Sequence, residues 1–191
     1  MNFKDFADRA LCILFPRRCR YCGEVIEPRE TLCEGCKKNL PKIIPPVCLL
    51  CGHSQSDCVC KNRKNFYDAV AAPFYYEGAI VKAVDRMKFH DKAFMAEVFG
   101  EDMINTVNAV YSDRHFDLVC FVPFSKTDKK RREFNHSELI AYKIADGLKL
   151  ECADIIEKIY DVPTQHSLGS EERKGNVFGI FDDTDAERVK D

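Results

Sequence analysis

The chain has 191 residues, with 29 Lys and Arg against 31 Asp and Glu, for a net charge of −2. This near balance gives no case for a protein that binds nucleic acid through its overall charge. No stretch approaches the roughly 20 apolar residues of a membrane span, and the length predicts one ordinary domain plus a small one. The first 65 residues carry 12 basic and 7 acidic side chains, and the rest carry 17 and 24, so the two parts differ in sign.

The first 15 residues predict a short amphipathic helix that Pro16 ends. Acidic Asp5 and Asp8 interrupt its basic residues, its apolar run is short, and no small-residue cleavage site follows. These features argue against a signal peptide. We therefore expect a cytoplasmic protein with reduced thiols.

Eight of the eleven cysteines fall in four close pairs, which is the number of thiolates that two tetrahedral zinc ions need. Gly23 and Gly52 each follow the second cysteine of a pair, where a metal knuckle requires a residue that tolerates positive φ. The sequence therefore predicts two zinc sites. The pairs are Cys19 and Cys22, Cys33 and Cys36, Cys48 and Cys51, and Cys58 and Cys60.

Several assignments of these cysteines stay open. Sequential pairing puts the first four around one ion and the last four around another, and interleaved pairing is the alternative. His53 could replace one sulfur of the tighter C-x-C pair, and a disulfide framework would need an oxidising compartment. Three cysteines stand alone in apolar settings and are predicted to be buried: Cys12, Cys120 and Cys152.

The zinc ribbon is predicted over residues 16–62, with a proline-containing connector between its halves and a linker at 61–66. From 66 to 191 the pattern predicts an α/β domain with a mainly parallel sheet. We expect strands at 69–76, 117–123 and 155–160, and helices at 79–89, 92–110 and 135–148. The strand at 117–123 reads as buried on both faces. The basic loop after it lies where such sheets bind ligands.

These motifs together resemble the ComF family of competence-related proteins. The matching features are the paired knuckles, the strand ending in Val122-Pro123, the segment R-E-F-N-H at 132–136, and the later pattern from Thr164 through Glu172-Arg173 and Asn176. The resemblance implies a zinc ribbon before an incomplete fold like that of type I phosphoribosyltransferases, which is Rossmann-like. It further implies phosphoribosyl pyrophosphate (PRPP) with Mg²⁺ as ligand in a complete protein, and a role in DNA uptake. The implied phosphate- or substrate-binding residues are Lys130, Arg131, Arg132, Asn135, Arg173 and Asn176.

Departures from the family pattern limit these expectations. Glu133 replaces a glycine, His136 replaces a glutamine, and Thr164 and Gln165 are adjacent rather than spaced. The PRPP loop, an apolar strand followed by two acidic residues and a Thr- and Gly-rich turn, has no counterpart in the sequence. Residues 179–184 match it poorly, and the resemblance implies that they are a polar approach to a strand. We therefore expect a chain truncated before that loop, no phosphoribosyl transfer, and no assignable catalytic residue.

Simpler roles are open for the same residues. Asn135 could cap its helix while Arg132 is solvated, and Arg173 and Asn176 could cap a helix or form salt bridges. The alternative function is a non-catalytic zinc ribbon that binds single-stranded DNA or a competence partner. Its support is the basic cluster Arg17, Arg18 and Arg20, although Tyr21 is the sole aromatic residue between Pro16 and Asn65.

Overall fold

A computed structural model describes residues 15–60, 67–89, 93–125, 127, 129, 133–160, 179–185 and 187. The predicted helix at 1–15, apart from Phe15, and the linker at 61–66 lie outside this range. So does the motif from Thr164 to Asn176. The elements are helices α1 (Glu34–Asn39), α2 (Gly78–Phe89), α3 (Phe94–Val110) and α4 (His136–Leu148), a 3-10 turn (Gln55–Asp57), and strands β1 (Leu118–Val119), β2 (Glu151–Cys152), β3 (Ile156–Lys158) and β4 (Phe181–Asp183).

The cysteine-rich segment has little regular structure. Isolated antiparallel bridges join Arg18 to Val25 and Val47 to Ser54, so each half of the segment folds back on itself once. Helix α1 starts at the N-cap Cys33, whose sulfur accepts a hydrogen bond from the Cys36 backbone N–H. With so few ladders and one short helix, this segment depends on its metal sites for stability.

The predicted strand at 69–76 is wrong. The segment makes a single antiparallel bridge, between Phe74 and Lys42, with hydrogen bonds from the Ile43 N–H to the Pro73 carbonyl (3.1 Å) and from the Tyr75 N–H to the Pro41 carbonyl (2.8 Å). Pro73 has no N–H to donate, and this prevents a continuous ladder. The bridge still ties the connector of the cysteine-rich segment to the chain that enters α2.

Helices α2 and α3 confirm the predictions for 79–89 and 92–110. Helix α3 packs closely on α4 because two glycines leave room at the contact. A Cβ on Gly100 would lie 2.4 Å from Lys143 Cγ, and one on Gly147 would lie 2.4 Å from Ile104 Cδ1. An ion pair between Lys143 Nζ and Glu97 (2.7 Å) flanks the contact. The absence of side chains at these two positions therefore sets the distance between the helices.

Strands β1 and β2 form a parallel pair with α4 between them in the chain, which is a βαβ unit. This confirms the α/β class and the helix predicted from Asn135. The expected strand at 117–123 is much shorter, and it is not buried on both faces: Leu118 and Val119 are half-buried and Cys120 is exposed. Burial on both faces of a strand requires elements packed on each side of the sheet, and α4 packs against this pair.

The predicted strand at 155–160 is confirmed in shorter form as β3. It pairs with β4 in antiparallel register, with Glu157 opposite Asp182. The expectation of a polar approach at 179–184 is therefore wrong, because Phe181–Asp183 is itself a strand. Among the described residues the sheet pattern is one parallel and one antiparallel pair, so the expectation of a mainly parallel sheet holds for β1 and β2 alone.

The main hydrophobic core joins the first half of the cysteine-rich segment to α2 and α3. Its buried members are Cys19, Tyr21, Cys36, Ile80, Ala83, Met87, Met95, Val98 and Phe99. The division into 1–15, 16–62 and 66–191 stays a prediction, but the contacts between its second and third parts include this core. The first cysteine cluster is thus held by residues from both.

Candidate metal centre

The first cluster is built from a knuckle and a helix start. In the knuckle, the Gly23 N–H donates to the Cys19 carbonyl (3.1 Å), and Gly23 has φ of 80°. Cys33 and Cys36 sit at the N-terminus of α1, one turn apart. The sulfurs of all four cysteines lie within 4.8 Å of one another, and the Cys22 and Cys33 Sγ atoms are 3.5 Å apart.

The second cluster repeats the knuckle but closes differently. The Gly52 N–H donates to the Cys48 carbonyl (2.8 Å), and Gly52 has φ of 76°, so both glycines confirm the prediction of positive φ. Cys58 and Cys60 follow the 3-10 turn. The Sγ distances are 3.4 Å from Cys48 to Cys60, 3.7 Å from Cys51 to Cys58 and 3.1 Å from Cys58 to Cys60.

The geometry of both clusters fits tetrahedral zinc. A Zn–S bond of about 2.3 Å implies sulfur–sulfur edges of about 3.8 Å, close to most of the separations here. A disulfide would need about 2.05 Å, and all eight sulfurs are free. Sequential pairing is confirmed, and the interleaved and disulfide alternatives are wrong for these residues. His53 is outside the second cluster and packs its ring on Tyr75, with centroids 5.3 Å apart.

Crowded thiols give each cluster an uneven charge. In the first, burial opposes ionisation of Cys19, but hydrogen bonds from the backbone N–H groups of Cys33, Cys22 and Tyr21 outweigh it and lower its pKa to about 6. Burial and neighbouring sulfurs raise the pKa of Cys36. In the second, hydrogen bonds from the thiols of Cys58 and Cys60 lower the pKa of Cys48 to about 6. A bound dication would stabilise all four thiolates in each cluster.

Two arginines supply positive charge and hydrogen bonds around the first cluster; the sequence indicated Arg18 only as part of a basic cluster and did not indicate Arg86. Arg86 on α2 donates to the Tyr21 carbonyl (2.9 Å), and Arg18 donates to the Gly23 carbonyl (3.1 Å). Four thiolates with one Zn²⁺ carry a charge of −2, which these guanidinium groups partly compensate. Arg86 is 65 positions from Tyr21, so no local motif could have shown this contact.

Tyr21 connects the knuckle to α3. Its hydroxyl donates to the carboxylate of Asp102, and its ring, 4% exposed, contacts Phe74 and Phe99. Burial raises the pKa of Asp102, and the hydrogen bond from Tyr21 acts in the opposite direction. The one aromatic residue of the predicted zinc ribbon is therefore a core residue and not a platform for stacking bases.

Of the predicted substrate-binding residues, the structure describes Asn135. It is buried and caps α4: its Oδ1 accepts from the Ser137 N–H (3.0 Å), while its Nδ2 donates to the Val122 carbonyl (2.9 Å). Both ends of the amide are occupied by the protein itself. Lying outside the described residues are Lys130, Arg131, Arg132, Arg173 and Asn176.

The isolated cysteines differ from expectation. Cys120, predicted to be buried, is exposed, and it directly follows the end of β1. Cys152 is half-buried in β2, and Cys12 lies outside the described residues. None of the described helices has both the length and the apolar character needed to cross a membrane.

Comparison with known proteins agrees with this geometry. A family model described as "Double zinc ribbon domain" matches residues 10–64. The chain is 32% identical over 127 residues to "Competence protein ComFC" of Bacillus subtilis (strain 168). That alignment covers 61% of the chain and 52% of the relative, so it spans about half the relative's length. No solved structure matches the chain. The resemblance seen in the motifs is thus supported by similarity to a competence protein over part of the chain, and residues 10–64 match a double zinc ribbon.

Proposed function

We propose that this chain acts in natural competence as a phosphoribosyltransferase-related, zinc-dependent protein of the cytoplasm. The observation that carries the proposal is the identity to a competence protein, which extends well beyond the zinc ribbon: 127 aligned residues exceed the 55 that the ribbon model spans. The two four-cysteine sites support a structural role for zinc in this chain.

The α/β part supports a phosphate ligand after β1. The loop that follows β1 lies at the carboxyl end of a strand in a βαβ unit, where such folds bind ligands. Asn135 ties both ends of this loop, through the Val122 carbonyl and the start of α4. We propose that Lys130, Arg131 and Arg132 in this loop bind the pyrophosphate half of PRPP with Mg²⁺, with Asn135 as a positioning residue. In this proposal, Arg173 and Asn176 contact the same ligand.

A titration with fragments of PRPP tests this assignment. Pyrophosphate with Mg²⁺ should shift backbone amide resonances after β1, and replacement of the three basic residues by alanine should abolish the shifts. Ribose-5-phosphate is the matched control and should cause none, because the segment that would hold it has no counterpart in this sequence. Equal binding of both fragments, or pyrophosphate shifts that survive the triple replacement, would contradict the assignment. In a turnover assay with PRPP and a panel of bases, this chain should release no pyrophosphate.

The second candidate is a zinc ribbon that binds single-stranded DNA or a competence partner. Arg17 and Arg18 are exposed beside the first cluster, which favours it. Arg20 favours it less, because it forms an ion pair with Glu101 (2.9 Å). Fluorescence anisotropy with labelled single strands should then show an affinity that falls with salt and with charge reversal of Arg17 and Arg18. An affinity that is unchanged by that reversal would exclude these side chains as the contact.

A further inference from the structure

The two zinc clusters differ sharply in their surroundings. In the first, Cys19 and Cys36 are 1% and 5% exposed and belong to the main core with side chains of α2 and α3, while Cys22 and Cys33 are half-buried and pack against that core. In the second, all four cysteines are only half-buried, and none belongs to that core. Val59, between two of its ligands, is 84% exposed. An oxidant in solution therefore reaches all four cysteines of the second cluster but only two of the first.

The second cluster also lies outside the main core. Its knuckle contacts the rest of the chain through Gly52, which lies against Val70, through the hydrogen bond from the Val70 N–H to the Leu49 carbonyl (2.9 Å), and through the hydrogen bond from the Tyr67 hydroxyl to the Leu50 carbonyl (2.9 Å). Tyr67 is half exposed and Leu50 is 38% exposed. Rearranging these residues would disturb little of the core, whereas rearranging the first cluster would displace Tyr21 and its contacts with α3.

We propose that the second cluster is a site of reversible cysteine oxidation by hydroperoxides, while the first keeps its metal under the same conditions. The Sγ contacts indicate the products. Cys48 and Cys60 lie 3.4 Å apart and Cys51 and Cys58 lie 3.7 Å apart, so each pair needs a shift of less than 2 Å to reach the ~2.05 Å of a disulfide. A bond between Cys58 and Cys60 would close a very small ring, and the proposed pairing avoids it.

The chemistry of each pair is a two-electron oxidation. One thiolate attacks a peroxide oxygen, the O–O bond breaks, and the sulfur becomes a sulfenic acid as water leaves. The second thiolate then attacks that sulfur, the S–O bond breaks, and a second water leaves. Two thiolates, one H₂O₂ and two protons thus give one disulfide and two waters. Oxidising both pairs removes all four ligands, so the zinc ion is released, and a thiol reductant reverses the step.

The structural consequence is a change confined to one end of the molecule. Loss of the second metal leaves the core of the first cluster, α2 and α3 in place. It frees the segment that holds Leu50 and Val59, which are exposed apolar side chains. The surface around the second cluster thereby has a shape that depends on the redox state of the four thiols.

The test uses the full zinc-loaded chain carrying Cys120→Ser, since the exposed Cys120 thiol would also consume peroxide. Zinc release is followed with a colorimetric chelator, disulfides by peptide mass mapping, and helix content by circular dichroism. One zinc per chain should leave on the order of tenfold faster than the other, as expected when oxidation follows exposure. Cys48 should be linked to Cys60 and Cys51 to Cys58, with helix content unchanged, and dithiothreitol with added zinc should restore the starting state.

Two variants show which cluster releases its zinc in the fast phase, meaning the release of the first zinc ion. Cys58→Ser with Cys60→Ser should abolish it and leave the slow release, whereas Cys22→Ser should remove the slow release and leave the fast phase. Equal release rates from both clusters would overturn the proposal. So would fast release that survives the double replacement, zinc loss without the two disulfides, or helix loss at the same rate as the first zinc.

Discussion

Replacing Tyr21 by phenylalanine tests the link between the first zinc cluster and α3. The substitution keeps the buried ring and its contacts with Phe74 and Phe99, and it leaves the carbonyl that Arg86 contacts. It removes only the hydroxyl that donates to Asp102. Stability should therefore change through one hydrogen bond.

The magnitude follows from the burial of the acceptor. A hydrogen bond to a charged group contributes about 1.5–3 kcal/mol to stability. When its donor is removed, a fully buried acceptor keeps the whole desolvation penalty. Asp102 is half-buried, so water recovers part of this, and we expect a cost of about 1–2 kcal/mol. For a chain of this length, that corresponds to a drop in Tm of about 2–8 °C.

The cost should depend on pH with a defined sign. Burial, opposed by the Tyr21 hydrogen bond, raises the pKa of Asp102 above its unfolded value. The stability that this carboxyl contributes therefore falls as the pH rises from its unfolded pKa through its folded pKa. Without the hydroxyl the folded pKa rises further. The stability difference between wild type and Tyr21→Phe should thus be largest near neutral pH and shrink in acid, where Asp102 is protonated in both. The zinc thiolates are common to both proteins and cancel in this difference.

The assay is urea unfolding followed by circular dichroism at a fixed excess of free zinc. Tyr67→Phe is the matched control, because the Tyr67 hydroxyl donates to a carbonyl at an exposed position and its loss should change stability by less than about 0.5 kcal/mol. A double-mutant cycle with Asp102→Asn should show that the two costs are not additive. If Tyr21→Phe cost no more than Tyr67→Phe, or if the cycle were additive, the reasoning would be refuted.

Two further predictions concern the cap and the knuckle. Asn135→Ala should destabilise the protein by about 1–3 kcal/mol, while Asn135→Asp should cost less because it keeps the oxygen that accepts from Ser137; equal costs in thermal unfolding would contradict the cap. Gly23→Ala should cost about 1–3 kcal/mol, since its φ is 80° and a Cβ would lie 2.8 Å from Arg86 Nη1. Gly35→Ala, in α1 with only ordinary contacts, should be neutral or stabilising by up to about 1 kcal/mol, and a comparable loss at both glycines would refute the strain at Gly23.

The metal sites and the helices were predicted from local patterns in the sequence. The spacing of the eight cysteines, with Gly23 and Gly52 after the knuckles, predicted both clusters, because two cysteines with one or two residues between them reach one metal without help from the rest of the fold. Helices α2, α3 and α4 were predicted from their apolar periodicity, and Asn135 was recognised as a possible cap from its position before that period. Each of these properties depends on residues within a few positions of one another.

Strands were predicted less well because their lengths depend on partners elsewhere in the chain. The apolar run at 117–123 has the composition of a doubly buried strand, yet β1 is short and Cys120 is exposed. The segment at 69–76 looked like a strand but forms one bridge, limited by Pro73. Conversely, β4 has acidic residues at two of its three positions, and its pairing with β3 could not be read from composition.

The sequence by itself determined which eight cysteines fit two zinc sites, where three helices run and which family the chain resembles, since these follow from short-range spacing and recurring motifs. Only the tertiary structure decided that the first cluster lies in the core and the second at the surface. That difference arises from contacts such as Tyr21 with Asp102, which are 81 positions apart. Two clusters that each have four cysteine ligands thus differ in exposure, because the burial of a site depends on the residues that pack around it and not on the type of its ligands.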